Sequence, residues 1–192
     1  MATLRPFRDY DEHDVLNLFA FDYAVRGEVT RGALVRIKAA SNGWKVHEAD
    51  IDAFSTVNMN SYSLDNVTNL RYGVNALVDL AGSGETPLGM LLYDCKEVDE
   101  NGEKLIYNPR KAAEMQCALS GQAVPIATKG IFVVNGVDGT PAAGGVAYCG
   151  AAAANDGLIS ATAPLSGGTK ITIGKFLGAA NTAGDVLLKL EL

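Results

Sequence analysis

Short runs of alternating hydrophobic and polar residues, separated by glycine turns, make up much of this chain. In "GALVRIKAA", Val35 and Ile37 fall on one face while Arg36 falls on the other, which is the period-two pattern of a half-buried strand. The final run, "DVLLKLEL", alternates in the same way. The pattern predicts a series of strands that ends with a closing strand at the C-terminus.

Turn signals divide these runs. Asp99-Glu100-Asn101-Gly102 lies between the apolar runs "GMLLYDCKEV" and "EKLIY", so we expect a hairpin there. Residues 135–139 carry two further Asn-Gly and Asp-Gly signals, and residues 181–184 separate the last two strands. The sequence predicts a mainly β fold, a β-barrel or sandwich-like domain.

One short helix interrupts the strands, at about residues 109–117. Asn108 is a good N-cap, and Pro109 suits the first helical position because its missing N–H is not needed there. Arg110 and Lys111 follow in the first turn, where the helix dipole slightly disfavours cations. We expect Gly121 to close the helix and a strand to run from residue 127 to residue 134.

The first fourteen residues form a separate segment. Their charges and the proline at position 6 fit neither a helix face nor an alternating strand, so residues 1–14 are interpreted as an extended arm. A calcium loop is disfavoured because its central glycine is missing. Residues 15–192 are assigned to one β-rich domain, and a sub-domain boundary near 135–145 stays open.

Composition narrows the function. The chain has 192 residues, and 16 Lys and Arg against 22 Asp and Glu give a net charge of −6, which disfavours direct binding to nucleic acid. The three cysteines match no metal or disulfide spacing, so buried reduced thiols are expected. A signal peptide and a membrane span are not expected. We therefore expect synthesis in the cytoplasm and no membrane partner.

Candidate chemistry is sparse. His13 and His47 are the two histidines, and both lie beside charged residues, so they are interpreted as exposed or structural. "GSGETPLG" lacks the Lys-Ser/Thr pair and the following helix of a phosphate loop. We therefore expect no catalytic residue, no cofactor and no metal, and the chain is not expected to be an enzyme.

Four stretches of the chain are, in order, "RPFRDYDEHDVLNLFAF", "GETPLGMLLYDCKEVDENGEKLIY", "NPRKAAEMQCALSGQAVPIATKGIF" and "IGKFLGAANTAGDVLLKLEL". In the same order, they resemble the decoration, or cement, proteins of tailed-bacteriophage heads. Together they cover most of the chain, and the last is the least specific. The resemblance implies a β-rich structural protein of the virion exterior, made in the bacterial host cytoplasm.

The resemblance also implies partners. Proteins of this kind commonly form trimers at three-fold or quasi-three-fold positions of the expanded capsid, where they clamp neighbouring major-capsid subunits against the pressure of packaged DNA. The residues expected to contact the capsid belong to the arm and to the helix start: Arg5, Phe7, Arg8, Tyr10, Asp14, Arg110 and Lys111. The alternative is a receptor-, ligand- or carbohydrate-binding β module of the virion, with Tyr62, Tyr72 and Trp44 as candidate platforms.

Overall fold

The computed structural model of this chain describes residues 4–6, 14–21, 27–38, 77–119, 121–150, 157–163 and 170–192. In chain order, its strands are β1 (Leu4–Pro6), β2 (Val15–Phe21), β3 (Leu34–Ile37), β4 (Leu77–Leu80), β5 (Gly89–Leu91), β6 (Asp94–Cys95), β7 (Cys117–Ala118), β8 (Ala123–Ala127), β9 (Lys129–Val134), β10 (Val146–Cys149), β11 (Ile159–Ser160), β12 (Thr172–Phe176) and β13 (Val186–Glu191). A 3-10 turn (Leu105–Tyr107) leads into the helix α1 (Pro109–Glu114). The predicted mainly β fold with one short helix is confirmed.

Two sheets build the body of the protein. A closed five-stranded barrel has the order β2-β4-β3-β5-β8, and β8 pairs back with β2 to complete the ring. A six-stranded antiparallel sheet has the order β1-β9-β13-β12-β10-β11. The chain changes from barrel to sheet at Thr128, the single residue between β8 and β9. This change of sheet precedes the range 135–145, and the sub-domain boundary there stays a prediction.

Two hydrophobic cores hold these sheets. The barrel interior is filled by side chains from all five strands, among them Phe19, Val35, Val78, Leu91 and Ile126. The second core lies between the barrel and the sheet, because it contains residues of both. Its largest members are Leu34, Met90, Phe132, Phe176, Leu188 and Leu190. The barrel and the sheet therefore share a core, as expected of one cooperative domain.

The barrel strands explain why simple alternation fails in this region. Leu34 and Val35 are adjacent on β3, yet both are fully buried, the first against the sheet and the second inside the barrel. Ile37, which the alternation places with Val35 on the buried face, is 43% exposed. The predicted half-buried pattern of this strand is therefore wrong: its first two residues are buried on both faces, and its last residue is exposed.

Close approach of the backbone fixes the middle of the six-stranded sheet. Gly174 on β12 lies opposite Leu190 on β13. A Cβ atom at Gly174 would collide with the backbone carbonyl oxygen of Lys189. Glycine is therefore required here by space.

Between residues 99 and 134, the structure differs from the prediction in three places. The hairpin turn at residues 99–102 is formed and is closed by one antiparallel bridge between Val98 and Lys104, but the rest of the flank "EKLIY" is a 3-10 turn instead of a strand. The helix ends at Glu114, before Gly121, and Gln116 adopts a left-handed conformation with φ 53° directly after it. The strand expected at residues 127–134 is interrupted at Thr128, where β8 ends and β9 begins.

Candidate partner-binding surfaces

The N-terminal strand β1 lies at one edge of the six-stranded sheet. It pairs antiparallel with the end of β9, so that Leu4 is opposite Val134, Arg5 opposite Val133 and Pro6 opposite Phe132. Proline cannot donate a hydrogen bond to a ladder, and an edge strand is the place in a sheet that tolerates it. The described part of the predicted arm is therefore extended, and it lies on the chain's own sheet.

The arm reaches the barrel at Asp14. The carbonyl oxygen of Asp14 accepts hydrogen bonds from the N–H of Thr128, at 2.9 Å, and from its hydroxyl, at 3.2 Å. The carbonyl oxygen of Thr128 in turn accepts the N–H of Leu192, at 3.1 Å. Thr128 thus joins the start of β2, the change of sheet and the C-terminus, and Asp14 contributes through its backbone.

Three of the predicted arm residues are not covered by the structure. Phe7, Arg8 and Tyr10 lie outside the described residues, as do His13 and His47. The aromatic platforms considered for the alternative function, Trp44, Tyr62 and Tyr72, also lie outside them. Their roles stay predictions.

Residues 94–119 connect the barrel strands β5 and β8, and we term them the hairpin–helix unit. It contains β6, the turn at residues 99–102, the 3-10 turn, α1 and β7, and β6 pairs with β7 in parallel. Its small core consists of the buried residues Leu105, Ala112, Cys117 and Leu119. Because this core is small, polar contacts contribute much of the unit's stability.

Asp99 organises the turn of this unit. Its side chain is fully buried, and Oδ1 accepts the N–H groups of Asn101 and Glu103, each at 2.8 Å. Oδ2 accepts a hydrogen bond from Nζ of Lys111 on α1. That bond is the main reason that the pKa of the Asp99 carboxyl lies below its ordinary value, and the hydrogen bond from the N–H of Glu103 is the second. Gly102 completes the turn with φ 80°.

The two predicted helix residues therefore differ in their surroundings. Nζ of Lys111 donates a hydrogen bond to Asp99. This bond is the main reason that the pKa of Lys111 lies above its ordinary value. The side chain of Arg110 is 90% exposed and contacts Glu114 on its own helix, at 3.0 Å. Arg110 is available to a partner, whereas Lys111 connects the helix to the hairpin.

Tyr107 is a surface residue that the sequence analysis missed. It lies at the end of the 3-10 turn and is 83% exposed, three residues before Arg110. The run "EKLIY" predicts a strand at this position, whereas Tyr107 ends the 3-10 turn. Tyr107 and Arg110 are thus an exposed aromatic residue and an exposed cation, three residues apart on the hairpin–helix unit.

Arg31 fastens the hairpin–helix unit to the loop before β3. Its backbone N–H donates to Oδ1 of Asp94 at 2.8 Å, and its Nη1 donates to Oε1 of Gln116 at 2.6 Å. The N–H of Asp94 donates to the carbonyl oxygen of Gln116, at 3.1 Å. These bonds hold Gln116 in its left-handed conformation and fix the end of the unit.

The expectation of buried, reduced cysteines is confirmed. Cys95, Cys117 and Cys149 are all free and buried. Burial, and then the charge of Asp94, raise the pKa of Cys95 to about 12. Burial also raises the pKa of Cys117. Neither thiol has the lowered pKa of a reactive cysteine.

Within the described ranges, no group of three or more His, Cys, Asp or Glu side chains could hold a metal ion. No helix in the same part of the chain is both long and apolar enough to cross a membrane. No protein-family model, curated protein or solved structure matches this chain.

Proposed function

We propose that this chain is a structural protein of a tailed-phage virion. It binds the outer surface of the expanded capsid, as a trimer at three-fold or quasi-three-fold positions, and cements neighbouring major-capsid subunits. The proposal assigns it no catalysis, cofactor, metal, nucleic acid or membrane. It rests on the resemblance of the four stretches quoted above. The structural observation that best supports it is the short edge strand β1 at the end of the arm.

The edge strand suits an arm that can change partner. Ordering a residue costs about 1–2 kcal/mol, while a hydrogen bond contributes a net of about 0.5–1.5 kcal/mol, so three paired residues stabilise β1 only weakly. An extended segment can add a strand to a neighbour's exposed sheet edge through its main chain. A capsid subunit with a longer free edge would therefore compete well for residues 1–14.

A second contact surface is the exposed end of the hairpin–helix unit. Tyr and Arg are enriched among the residues that dominate binding energy in protein interfaces. Tyr107 and Arg110 are both exposed here on an element whose own core and polar bonds hold it in place. Lys111 supports this surface through Asp99, and we assign it a positioning role.

Repetition makes weak contacts sufficient. A capsid presents the same site many times in a symmetric arrangement, and a trimer can engage several subunits at once. The effective concentration of the second and third contacts is then set by geometry. An edge strand and one exposed pair per chain can together give saturable binding.

The test is co-sedimentation of the purified protein with expanded heads and with unexpanded procapsids of the phage that encodes it. We expect saturable binding to expanded heads. Replacing Phe7, Arg8 and Tyr10 together by Ala should weaken it, as should Tyr107→Ala. These substitutions are preferable to deleting residues 1–14, because the deletion would also remove β1 from the sheet.

A matched control keeps the result specific. Lys170→Ala removes an exposed cation beside β12, away from both proposed contacts, and should bind heads normally. Normal binding by both the arm variant and the Tyr107→Ala variant would overturn the assigned contacts. Absence of wild-type binding to either particle would overturn the decoration function itself.

The alternative function is a ligand- or receptor-binding β module of the virion. The exposed ring of Tyr107 favours it, since aromatic faces are common platforms for ligands. It predicts that the purified chain binds a glycan or receptor without any capsid. A glycan-array screen comparing wild type with Tyr107→Phe and Tyr107→Ala would test it.

A further inference from the structure

The outward face of the six-stranded sheet carries a cluster of lysines. In the sheet register, Lys189 on β13 lies opposite Lys175 on β12, and Glu191 lies opposite Lys129 on β9. Their neighbours along the strands, including Leu188, Leu190 and Phe176, are fully buried in the core shared with the barrel. The charged side chains therefore project on the opposite side. We term Lys129, Lys175, Lys189 and Glu191 the lysine face.

The charges of this face are unbalanced. Nζ of Lys189 bonds to Glu191 at 2.9 Å. This hydrogen bond, and the positive charges of Lys189, Lys129 and Lys175, lower the pKa of Glu191. Three cations thus share one carboxylate, although the whole chain has a net charge of −6. Like charges directly opposite each other destabilise a sheet, so the pair of Lys175 and Lys189 disfavours the isolated chain.

An exposed apolar side chain lies beside these cations. Leu177 is two residues beyond Lys175, and its N–H donates to the carbonyl oxygen of Leu187 on β13, at 2.8 Å. Leu177 is 45% exposed. Protein–protein contacts combine apolar surface with a polar rim, and Leu177 supplies exposed apolar surface next to these charges. The lysine face therefore has the character of a docking surface for an acidic protein segment.

This chain itself offers a complementary segment. Glu100 and Glu103 lie at the tip of the hairpin–helix unit, and both are exposed. Two lysines lie near them: Lys111 is engaged by the buried carboxylate of Asp99, and Lys104 directly follows Glu103 and is exposed. Asn101 and Gly102, between the two glutamates, are also exposed. We term residues 100–103 the acidic tip.

We propose that the lysine face binds the acidic tip of a second copy of this chain. The lysine face points away from the barrel, whereas the hairpin–helix unit continues from barrel strand β5 through β6. The two patches therefore belong to different parts of one chain. Each copy donates its tip to one neighbour and receives a tip from another, and such a head-to-tail contact closes into a ring when its rotation permits.

The contact is independent of any capsid, so purified full-length protein can test it. Sedimentation velocity over a concentration series would be compared at about 0.03 M and about 0.5 M salt, because surface charge pairs are screened at high salt. We expect a discrete oligomer at low salt that dissociates at high salt. A chain that stays monomeric at low salt would overturn the proposal.

Charge reversal identifies the two surfaces. Lys175→Glu with Lys189→Glu should weaken association at least about tenfold, and Glu100→Lys with Glu103→Lys should do the same. Combining all four substitutions in one chain should restore association, since the signs are complementary again. If the fourfold variant stays dissociated while folded, the acidic tip is not the occupant of the lysine face.

A matched control separates this contact from a general effect of charge. Lys170→Glu makes the same change in net charge as the single substitution Lys175→Glu, at an exposed position before β12. It should leave association unchanged. Lys175→Glu should weaken association yet raise the thermal stability of the monomer, because it replaces a like-charge pair by an opposite-charge pair. A purely structural role for Lys175 would lower stability instead. Equal loss of association in both single variants would contradict the proposal.

Discussion

The six-stranded sheet and the hairpin–helix unit are stabilised in different ways. The sheet covers a continuous apolar core in which Phe132, Phe176, Leu188 and Leu190 are fully buried. The hairpin–helix unit has a small core and depends on the buried carboxylate of Asp99, with its bonds to two backbone N–H groups and to a lysine. The sheet should therefore respond to changes of volume, and the unit to changes of charge and pH.

This difference has a functional meaning under the proposed role. A platform on a capsid must resist global unfolding, and apolar burial provides most of that resistance because it is roughly proportional to area. A contact element needs a fixed shape at the surface, where little apolar area can be buried. Satisfied polar bonds around a buried carboxylate can supply that shape.

The largest effect is expected from Gly174→Ala. The new methyl group would collide with the carbonyl oxygen of Lys189, and neither backbone can move without breaking the pairing of β12 and β13. We expect a loss of more than about 4 kcal/mol in the free energy of unfolding, or no folding at all. Urea denaturation would measure it.

The control for this substitution is Gly178→Ala, two residues beyond β12. A Cβ atom at Gly178 meets nothing within 4 Å. We expect a change within about 0.5 kcal/mol for this surface position. Similar losses in the two variants would show that the sheet does not depend on close approach at Gly174.

A second, smaller effect compares the two faces of the same sheet. Leu188 is fully buried against the barrel, so Leu188→Ala should cost about 2–5 kcal/mol through lost burial and the cavity left behind. Val133 lies on the outward face and is half-buried, so Val133→Ala should cost no more than about 1 kcal/mol. Denaturant midpoints of the two variants give the comparison. Equal costs would mean that the outward face is buried too.

The fold class could be predicted because turns and alternation are local signals. The turn at residues 99–102 is formed by the Asp and Gly that predict it. The division into barrel and sheet could not be predicted, since it depends on β3 and β5 being buried on both faces. The end of the helix was missed because Gln116, not a glycine, takes the left-handed position there.

The surface was predicted only in part, for a related reason. The exposure of Arg110 follows from its helix position, but the partner of Lys111 is twelve residues away in sequence and meets it only when the hairpin folds. The lysine face could not be predicted from the sequence. Its members, Lys129, Lys175 and Lys189, lie on three strands that only the sheet register brings together.

The bond between Asp99 and Lys111 predicts a pH dependence confined to the hairpin–helix unit. The pKa of Asp99 is lowered from 3.8, so its contribution to stability is present above 3.8 and is lost as pH falls through the folded value. The pKa of Lys111 is raised from 10.5, so its contribution is present below 10.5 and is lost as pH rises through the folded value. Amide hydrogen-exchange protection of residues 99–104 should therefore decline towards both extremes.

The lysine can be removed to isolate this contribution. Lys111→Met keeps the aliphatic stem and removes the bond to Asp99, so protection of residues 99–104 should be lower at neutral pH while the six-stranded sheet keeps its protection. Lys104→Met removes an exposed lysine of the same unit and serves as the control. Unchanged protection in Lys111→Met would show that the turn is held without this bond, by its backbone bonds and by the bonds to Oδ1 of Asp99.

The smallest effect on stability is expected from Arg110→Ala. Its side chain is exposed, and its pair with Glu114 is an i, i+4 contact on a helix surface, which contributes less than about 0.5 kcal/mol. The melting temperature should therefore stay close to that of the wild type. Because folding is unaffected, reduced co-sedimentation of this variant with expanded heads would report a direct contact. Normal binding would place the partner surface elsewhere on the chain, with Tyr107 as the next residue to substitute.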